Sequence, residues 1–299
     1  MQMATTVQLL IGGLALGSIY ALVALGLYIT HLTVDRVNFG QGDFVMAAAF
    51  LLLTTRTAGL PLGVGIVLVM VALAVMGWAL ERIAIRPLDR MRTSPLGSYS
   101  WILTTAGVAF IVQNVIELVY GKSAQYSPPL FSDKRDVVVQ VLGVGIVVEE
   151  ILLIAVAITV VAAFYAFMFK SRWGKNILAV AFNPETASLL GIDTRSIKVG
   201  VFIIAAVMAA VAGVLIGPLV TVHPHMGLIF TIKALIVAAV GGFSNPVGIL
   251  VGALLFGVAE AASNYADSSF GDLYPLIAAM LVIAVKPSGL FGERSTDVR

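Results

Sequence analysis

Nine apolar segments separated by short polar stretches dominate the 299-residue chain. They lie at about 7–30, 38–54, 62–80, 100–120, 144–169, 196–222, 226–242, 246–266 and 273–285. A membrane span needs about 20 apolar residues, and an open sheet edge is not tolerated in lipid. The pattern therefore predicts an all-α polytopic membrane protein with about eight to nine transmembrane or partly re-entrant helices. The second, seventh and ninth segments are short, so we expect some of them to be tilted, broken or re-entrant.

The composition excludes a water-soluble fold. Only 11% of the residues are charged and 60% are hydrophobic, whereas soluble domains carry roughly 25% charged residues. The net charge of +2 gives no support for nucleic-acid binding, and the absence of cysteine excludes disulfides and cysteine-based metal sites. Because the first basic residue is Arg36, no cleavable signal peptide is indicated, and the first apolar segment should remain as a span.

The distribution of Lys and Arg predicts the orientation. With an N-terminus outside and nine alternating segments, most basic residues fall on the cytoplasmic side: Arg36, Arg82, Arg86, Arg90, Arg92, Lys170, Arg172, Lys175, Arg195, Lys198, Lys286, Arg294 and Arg299. The outer side receives Arg56, Lys122, Lys134 and Arg135, and Lys233 falls within a segment. Cytoplasmic loops are enriched in basic residues, so this asymmetry favours an N-out, C-in topology.

We expect one transmembrane domain over residues 1–299, with the longest outer polar stretch at about 121–143. That stretch is either an extracytoplasmic contact for a partner or a simple connector. Three pairs of glycines are spaced for close helix contact: Gly13/Gly17, Gly213/Gly217 and Gly248/Gly252. Packing inside the bundle is the expected role of these pairs, and a dimer face is the alternative.

A polar stretch at about 172–195 interrupts the apolar pattern. Residues 176–190 are amphipathic at helical spacing. Asn183 is suited to cap a helix, Pro184 is tolerated at a first helical position, and Glu185 favours the positive end. Gly191 is placed to end this helix in a left-handed conformation. The sequence predicts a helix, a break, a second short helix and a stop. We expect this segment to lie either on the membrane surface or against a soluble partner.

Here a family resemblance becomes specific. The stretch Glu185-Thr-Ala-Ser-Leu-Leu-Gly191 resembles the E-A-A-x-x-x-G loop of ABC importer permeases, with Thr186 in place of an alanine. The wider stretch 179–193 resembles the form found in branched-chain amino acid permeases, the LivH/LivM family. Leu16–Leu27 and Val37–Met46 resemble the opening of LivH-type members, where N-F-A-x-G-E-F-x-M is the pattern. Gly40 and Asp43 depart from that pattern conservatively, and Gln41 stands where histidine is common.

Two further blocks extend the resemblance over nearly the whole chain in matching order. Lys233–Gly248 is similar to the family block K-A-x-x-V-x-x-x-G-G-x-G/S, and Lys286–Gly292 to the tail R-P-x-G-L-F-G. The resemblance implies a permease domain in the bacterial inner membrane that transports branched-chain amino acids or a related small amino acid or amide. It also implies no cofactor and no enzymatic activity of its own, since ATP would be bound by partner subunits.

The partners implied by the resemblance are a second homologous permease in a heterodimer, two cytoplasmic ATP-binding subunits and an extracytoplasmic solute-binding protein. The polar stretch would form the coupling helix that docks in a cleft on the ATPase. Its implied contact residues are Asn183, Pro184, Glu185, Ala187, Leu190, Gly191 and Ile192.

Polar residues within apolar segments are candidates for the translocation path, because they are costly in lipid. Asn38, Gln41 and Asp43 cluster at a glycine-interrupted helix start, where they either line the path or cap a structural break. Lys233 is the fourth candidate. It either contacts solute, snorkels outward, or pairs with a carboxylate such as Glu260 or Glu117.

A stand-alone secondary transporter or channel is the competing prediction. It would use Asp43, Glu117, Lys233 or Glu260 as ion or proton sites. The stretch Gly121-Lys-Ser123 does not qualify as a phosphate loop, because the required first glycine would fall at Ile116 and no strand precedes it. His223 and His225 lack a third ligand, so they make a poor metal site.

Overall fold

A computed structural model describes residues 2–88, 97–130, 138–141 and 144–292. Its helices are α1 (Gln2–Val34), α2 (Gln41–Thr57), α3 (Leu62–Ala79), a π-helical segment (Leu80–Ile85), α4 (Arg86–Leu88), α5 (Gly97–Tyr120), α6 (Val148–Lys170), α7 (Arg172–Phe182), α8 (Pro184–Leu189), α9 (Thr194–Ile216), α10 (Met226–Gly241), α11 (Pro246–Ala266) and α12 (Leu273–Val285). Strands β1 (Val138–Val141) and β2 (Val144–Val147) form one antiparallel pair.

The predicted polytopic helical membrane protein is confirmed, and each of the nine apolar segments contains a helix. Within the described ranges, six helices are long and apolar enough to cross a membrane. The second, seventh and ninth segments form the shorter helices α2, α10 and α12, of 17, 16 and 13 residues. The short lengths of these helices agree with the expectation that some of these segments are tilted, broken or re-entrant.

Two details of the prediction are wrong. The fifth segment was expected to be helical from residue 144, but Val144–Val147 pairs with Val138–Val141 as a hairpin, so the chain is not entirely α. Valine-rich runs suit strands, and a short apolar run does not distinguish strand from helix. The sixth segment was expected to reach residue 222, but α9 ends at Ile216, two residues before Pro218. Proline lacks the amide hydrogen that would continue the helix.

Helix α1 lies at the centre of the bundle, and its residues 19–25 are almost completely buried. Small residues allow this close packing. A Cβ on Gly13 would lie 2.7 Å from the Cα of Val258 in α11, and one on Gly17 would lie 2.8 Å from the Cα of Leu254. Gly213 of α9 packs against Val45 of α2. The expectation of packing inside the bundle is confirmed for these glycines.

Polar side chains and chain turns gather at two opposite ends of the bundle. At one end a cleft of about 580 Å³ is lined by residues from the ends of α1, α7 and α10 and from the segment after α12, among them His31, Ala181, Phe243 and Ser288. At the other end, Gln125 pairs with Val222, which joins the segments that follow α5 and α9. This arrangement places α7 and α8 at the end of the bundle where α1 and α10 finish.

The basic residues Arg90, Arg92, Lys134, Arg135, Arg294 and Arg299, which entered the charge argument, lie outside the described residues.

Candidate translocation site and coupling segment

Helix α2 begins inside the bundle. After α1 the chain turns at Asp35, whose φ of 55° lies in the left-handed region, and α2 starts only six residues later. The side-chain amide of Gln41, its first residue, donates a hydrogen bond of 2.8 Å to the carbonyl of Ala205. Ala205 lies halfway along α9. The start of α2 is therefore at about half the depth of a full span, as in the interrupted helices of transporters.

Asn38 and its neighbours support this interruption. The Asn38 Oδ1 accepts a bond of 3.0 Å from the Gly40 amide, and its Nδ2 donates to Gln41 Oε1 at 3.3 Å. The Gly42 amide donates to Thr231 Oγ1 of α10 at 2.8 Å. A Cβ on Gly42 would collide with the carbonyl oxygen of Gly227, so only glycine allows α2 and α10 to approach this closely. These bonds satisfy backbone groups that would otherwise be unpaired at membrane depth.

Asp43 lies in the first turn of α2 and is completely buried. Its Oδ1 accepts a hydrogen bond of 2.7 Å from Gln113 Nε2 of α5 and packs against Gly227 at the start of α10. Its Oδ2 has no hydrogen-bond partner among the described residues. Gln113 is a site residue that the sequence analysis missed, because its partner Asp43 lies 70 positions away and leaves no local signal.

A line of polar side chains leads from Asp43 toward the surface. Glu117 lies one helical turn beyond Gln113 on α5. Its Oε1 lies 3.0 Å from Lys122 Nζ, and its Oε2 lies 3.6 Å from Nε2 of His225, the residue that precedes α10. Lys122 is exposed and Glu117 is half-buried. The line therefore connects an exposed cation at this end of the bundle with the buried carboxylate of Asp43.

Lys233 belongs to a separate cluster. Its Nζ lies 2.8 Å from Glu260 Oε1 and 3.3 Å from Asp272 Oδ1. Tyr20 of α1 donates its hydroxyl hydrogen to Glu260 Oε1 at 3.0 Å. Of the two carboxylates considered as partners for Lys233, the structure brings Glu260 to it, whereas Glu117 is paired elsewhere. None of the described bonds of Lys233 goes to Asn38, Gln41 or Asp43.

The polar stretch 172–195 folds as its sequence predicts. The Asn183 side chain accepts hydrogen bonds from the amides of Glu185 and Thr186, at 3.0 and 2.9 Å. Pro184 begins α8, which follows directly on α7. Gly191 has a φ of 81° and ends the segment in the left-handed region. The expected cap, first-turn proline and glycine stop are all confirmed.

Helix α8 presents an apolar surface. Leu189 is 88% exposed and Leu190 is 76% exposed, and Phe182 at the end of α7 is 94% exposed. Ala187 is buried and Ile192 is half-buried, so these two residues hold the segment against the bundle. Ile177 and Val180 of α7 are likewise buried in the core. The remaining residues proposed for coupling are exposed: Asn183, Pro184, Glu185 and Gly191.

Asp193 begins α9 in the same exposed region. Its Oδ1 accepts from the amides of Arg195 and Ser196, and its Oδ2 accepts from the Ser196 hydroxyl at 2.6 Å. Hydrogen bonds from the side chain and amide of Ser196 lower the pKa of this carboxyl below its ordinary value of 3.8. Together with Asn183, Asp193 fixes the two helix starts that bracket the exposed leucines.

The sequence matches a known family over most of its length. The model of the family "Branched-chain amino acid transport system / permease component" matches residues 9–286. The high-affinity branched-chain amino acid transport system permease protein LivH of Escherichia coli K12 is 30% identical over 302 residues, covering 97% of this chain and 96% of LivH. BraD of Pseudomonas aeruginosa, described in the same words, is 30% identical over 311 residues and 97% of each chain.

More distant relatives extend the comparison. The ribose import permease protein RbsC of Haemophilus influenzae is 29% identical over 246 residues, which is 76% of this chain and 75% of RbsC. A solved structure of PsaBC from Streptococcus pneumoniae in complex with Fab superposes with a TM-score of 0.51 at 12% identity, covering 93% of this chain and 89% of that one. That likeness concerns the fold alone. The chain belongs to the permease components of branched-chain amino acid transport systems, a family of inner-membrane ABC transport subunits.

Proposed function

We propose that this chain is the permease subunit of an ABC importer that forms the translocation path for branched-chain amino acids or a related small amino acid or amide. Separate ATPase subunits would supply the energy. The observation that carries this proposal is α8, a short capped helix whose last residue, Leu189, is exposed together with the following Leu190. Exposed apolar side chains on a polar segment are typical of a surface that a partner protein covers.

The proposed coupling surface consists of Asn183, Pro184, Glu185, Ala187, Leu190, Gly191 and Ile192. A short helix held by its cap and by the buried Ala187 can move as one body. Because Ile177 and Val180 anchor the preceding α7 in the core, closure of an ATPase against α8 would be transmitted to the bundle. This arrangement requires the α7–α8 end to face the cytoplasm, which gives the N-out, C-in topology.

The proposed translocation path includes Asn38, Gln41 and Asp43 at the interrupted start of α2. A second homologous permease would complete the path as a heterodimer, and a solute-binding protein would deliver solute at the opposite end, near Gln125 and Val222. Lys233 was also a candidate for the path. Its bonds to Glu260 and Asp272 support a role in joining the helices around that path.

Gly191→Ala tests the coupling assignment, with Gly59→Ala as a matched control. Both glycines have positive φ, 81° and 75°, and neither has a neighbour within 4 Å of an added Cβ. Each substitution therefore introduces the same backbone strain, of about 1–2 kcal/mol, at opposite ends of the bundle. We expect Gly191→Ala to weaken copurification of the ATPase subunits and ATP-driven uptake, while Gly59→Ala leaves both unchanged. Equal effects of the two variants would contradict the assignment.

Reconstitution separates the importer from a stand-alone transporter. The buried Asp43 is the feature that favours the second function, because proton-coupled transporters use such carboxylates. Proteoliposomes containing this chain alone, or this chain with its permease partner, are assayed with the solute-binding protein outside, with and without the ATPases and internal ATP. We expect uptake of amino acids only when both the ATPases and internal ATP are present. Uptake driven by an ion gradient in proteoliposomes that contain this chain without the permease partner or the ATPases would favour the secondary transporter instead.

A further inference from the structure

Asp43 and Glu260, two of the buried carboxylates in the helical bundle, differ in how their charge is compensated. Glu260 is 4% exposed and its Oε1 lies 2.8 Å from the ammonium group of Lys233. Asp43 is more deeply buried, and its Oδ1 accepts a hydrogen bond from the neutral amide of Gln113. In the part of the chain that the structure describes, no lysine or arginine forms an ion pair with Asp43, and its Oδ2 accepts no hydrogen bond. A buried carboxylate without a cation carries a large desolvation penalty.

The surroundings of Asp43 supply partial positive charge only. Asp43 lies in the first turn of α2, and it contacts Gly227 in the first turn of α10. Helix starts carry about half an elementary positive charge on their free amides. These groups favour the anion but leave Oδ2 without a hydrogen-bond donor.

We propose that Asp43 receives the ammonium group of the transported solute as it passes through the permease. This inference rests on the proposed transport of amino acid-like solutes. An α-ammonium group carries three N–H donors and one positive charge, which are the two things that Asp43 lacks. Gln113 holds Oδ1 in place, which leaves Oδ2 as the oxygen that can accept from the solute.

Glu117 lies on the same route, closer to the surface than Asp43. It is half-buried, lies one turn from Gln113 on α5, and is held by Lys122 and His225. A solute ammonium arriving at this end meets the partly exposed carboxylate of Glu117 before the buried carboxylate of Asp43. Lys122 and His225 compete for Glu117, which keeps that first contact weak.

A single carboxylate also suits a path through which the solute passes, rather than a site that retains the solute. A conduit must bind its solute well enough to admit it and weakly enough to release it. Asp43 is covered on one side by Gly227, and Gly42 bonds α2 to Thr231 of α10. The carboxylate therefore lies where two short helices meet, and separation of their starts would open it to the path.

The first test is uptake by the complete complex. Wild type, Asp43→Asn and Asp267→Asn are reconstituted with the partner permease, the ATPases and the solute-binding protein. Radiolabelled L-leucine uptake and ATP hydrolysis are then measured. Asparagine keeps the size of Asp43 and can still accept from Gln113, and Asp267 follows α11 outside the site. We expect Asp43→Asn to lower leucine uptake at least tenfold, which corresponds to about 1.4 kcal/mol, with ATP hydrolysis retained. Asp267→Asn should match wild type.

The second test asks which part of the solute is recognised. A diazirine analogue of leucine labels the permease–ATPase complex without the solute-binding protein, and labelled peptides are identified by mass spectrometry. We expect L-leucine and leucinol, which both carry the ammonium group, to protect peptides around Asp43. 4-Methylpentanoate, which lacks that group, should not protect them. The Asp43→Asn variant should lose this discrimination.

The outcomes separate the two proposals. If wild type imports leucine and Asp43→Asn does so equally well, the role of Asp43 is wrong while the transport function stands. The role of Asp43 is also wrong if 4-methylpentanoate protects as strongly as L-leucine. If the wild-type complex imports no amino acid, the proposed solute class fails, and the inference about Asp43 fails with it.

Discussion

The Lys233 cluster and the Asp43 site each hold a buried carboxylate, but they compensate its negative charge in different ways. Tyr20, Lys233, Glu260 and Asp272 come from α1, α10, α11 and the start of α12, and their bonds neutralise buried charge by joining these elements. Asp43 is joined to α5 by one neutral amide. The difference supports the proposal that the first site is structural and that the second receives the solute, because an uncompensated charge is a cost that packing alone does not require.

The largest expected effect is on the stability of the Lys233 cluster. Lys233→Met keeps a side chain of similar length but leaves the Glu260 carboxylate buried without its cation. Removing one member of a buried pair destabilises proteins by about 3–5 kcal/mol. We expect a loss of this order in the free energy of unfolding, measured by denaturant titration of the purified protein in detergent.

The double variant Lys233→Met/Glu260→Gln is the control for that experiment. It removes both charges, so much of the lost stability should return, and the difference from the summed single effects measures the coupling of the pair. If the double variant is as unstable as the sum of the single variants, the pair contributes no coupling and the structural interpretation of the cluster is wrong.

Asp43→Asn is expected to change stability less than Lys233→Met does, and it should not lower it strongly. Asparagine removes a buried charge that has no ionic partner in the described structure, while its oxygen can still accept from Gln113. We expect the free energy of unfolding to stay within about 1 kcal/mol of wild type or to increase, measured under the same conditions. A loss as large as that of Lys233→Met would mean that Asp43 is structural, and the contrast between the two sites would disappear.

The sequence predicts local features of this fold better than contacts between distant segments. The start of α8 follows from Asn183 and Pro184 and its stop from Gly191, because a cap, a first-turn proline and a positive φ each depend on a few neighbouring residues. By contrast, Glu260 was only one of two partners considered for Lys233.

Pairing between helices depends on how those helices pack, which periodicity does not encode. Tyr20 and Glu260 are 240 positions apart, and Gln113 and Asp43 are 70 apart. The hairpin formed by Val138–Val141 and Val144–Val147 was missed for another reason. Its apolar residues are continuous with α6, and apolarity alone does not separate a strand from the start of a helix.

The smallest expected effect concerns Asp193, a carboxylate in water rather than in the bundle interior. Its pKa is lowered in the folded protein by hydrogen bonds from Ser196. A depressed pKa means that the cap stabilises α9 above the ordinary pKa of 3.8, and that this contribution is lost as the pH falls through the folded-state value. Asn183 makes equivalent bonds at the start of α8 but carries no titratable group.

Acid should therefore loosen the first turn of α9 more than that of α8, because the capping side chain itself carries the charge only in α9. Hydrogen exchange of the Arg195 and Ser196 amides, corrected for the intrinsic pH dependence, should accelerate below about pH 4. The Glu185 and Thr186 amides should show a smaller change, and Asp193→Asn should remove the excess acceleration at α9. Because water already solvates Asp193, the change should stay local, unlike the loss of global stability expected for Lys233→Met. Equal acceleration at both helix starts would indicate that acid acts on the whole segment rather than on one carboxylate.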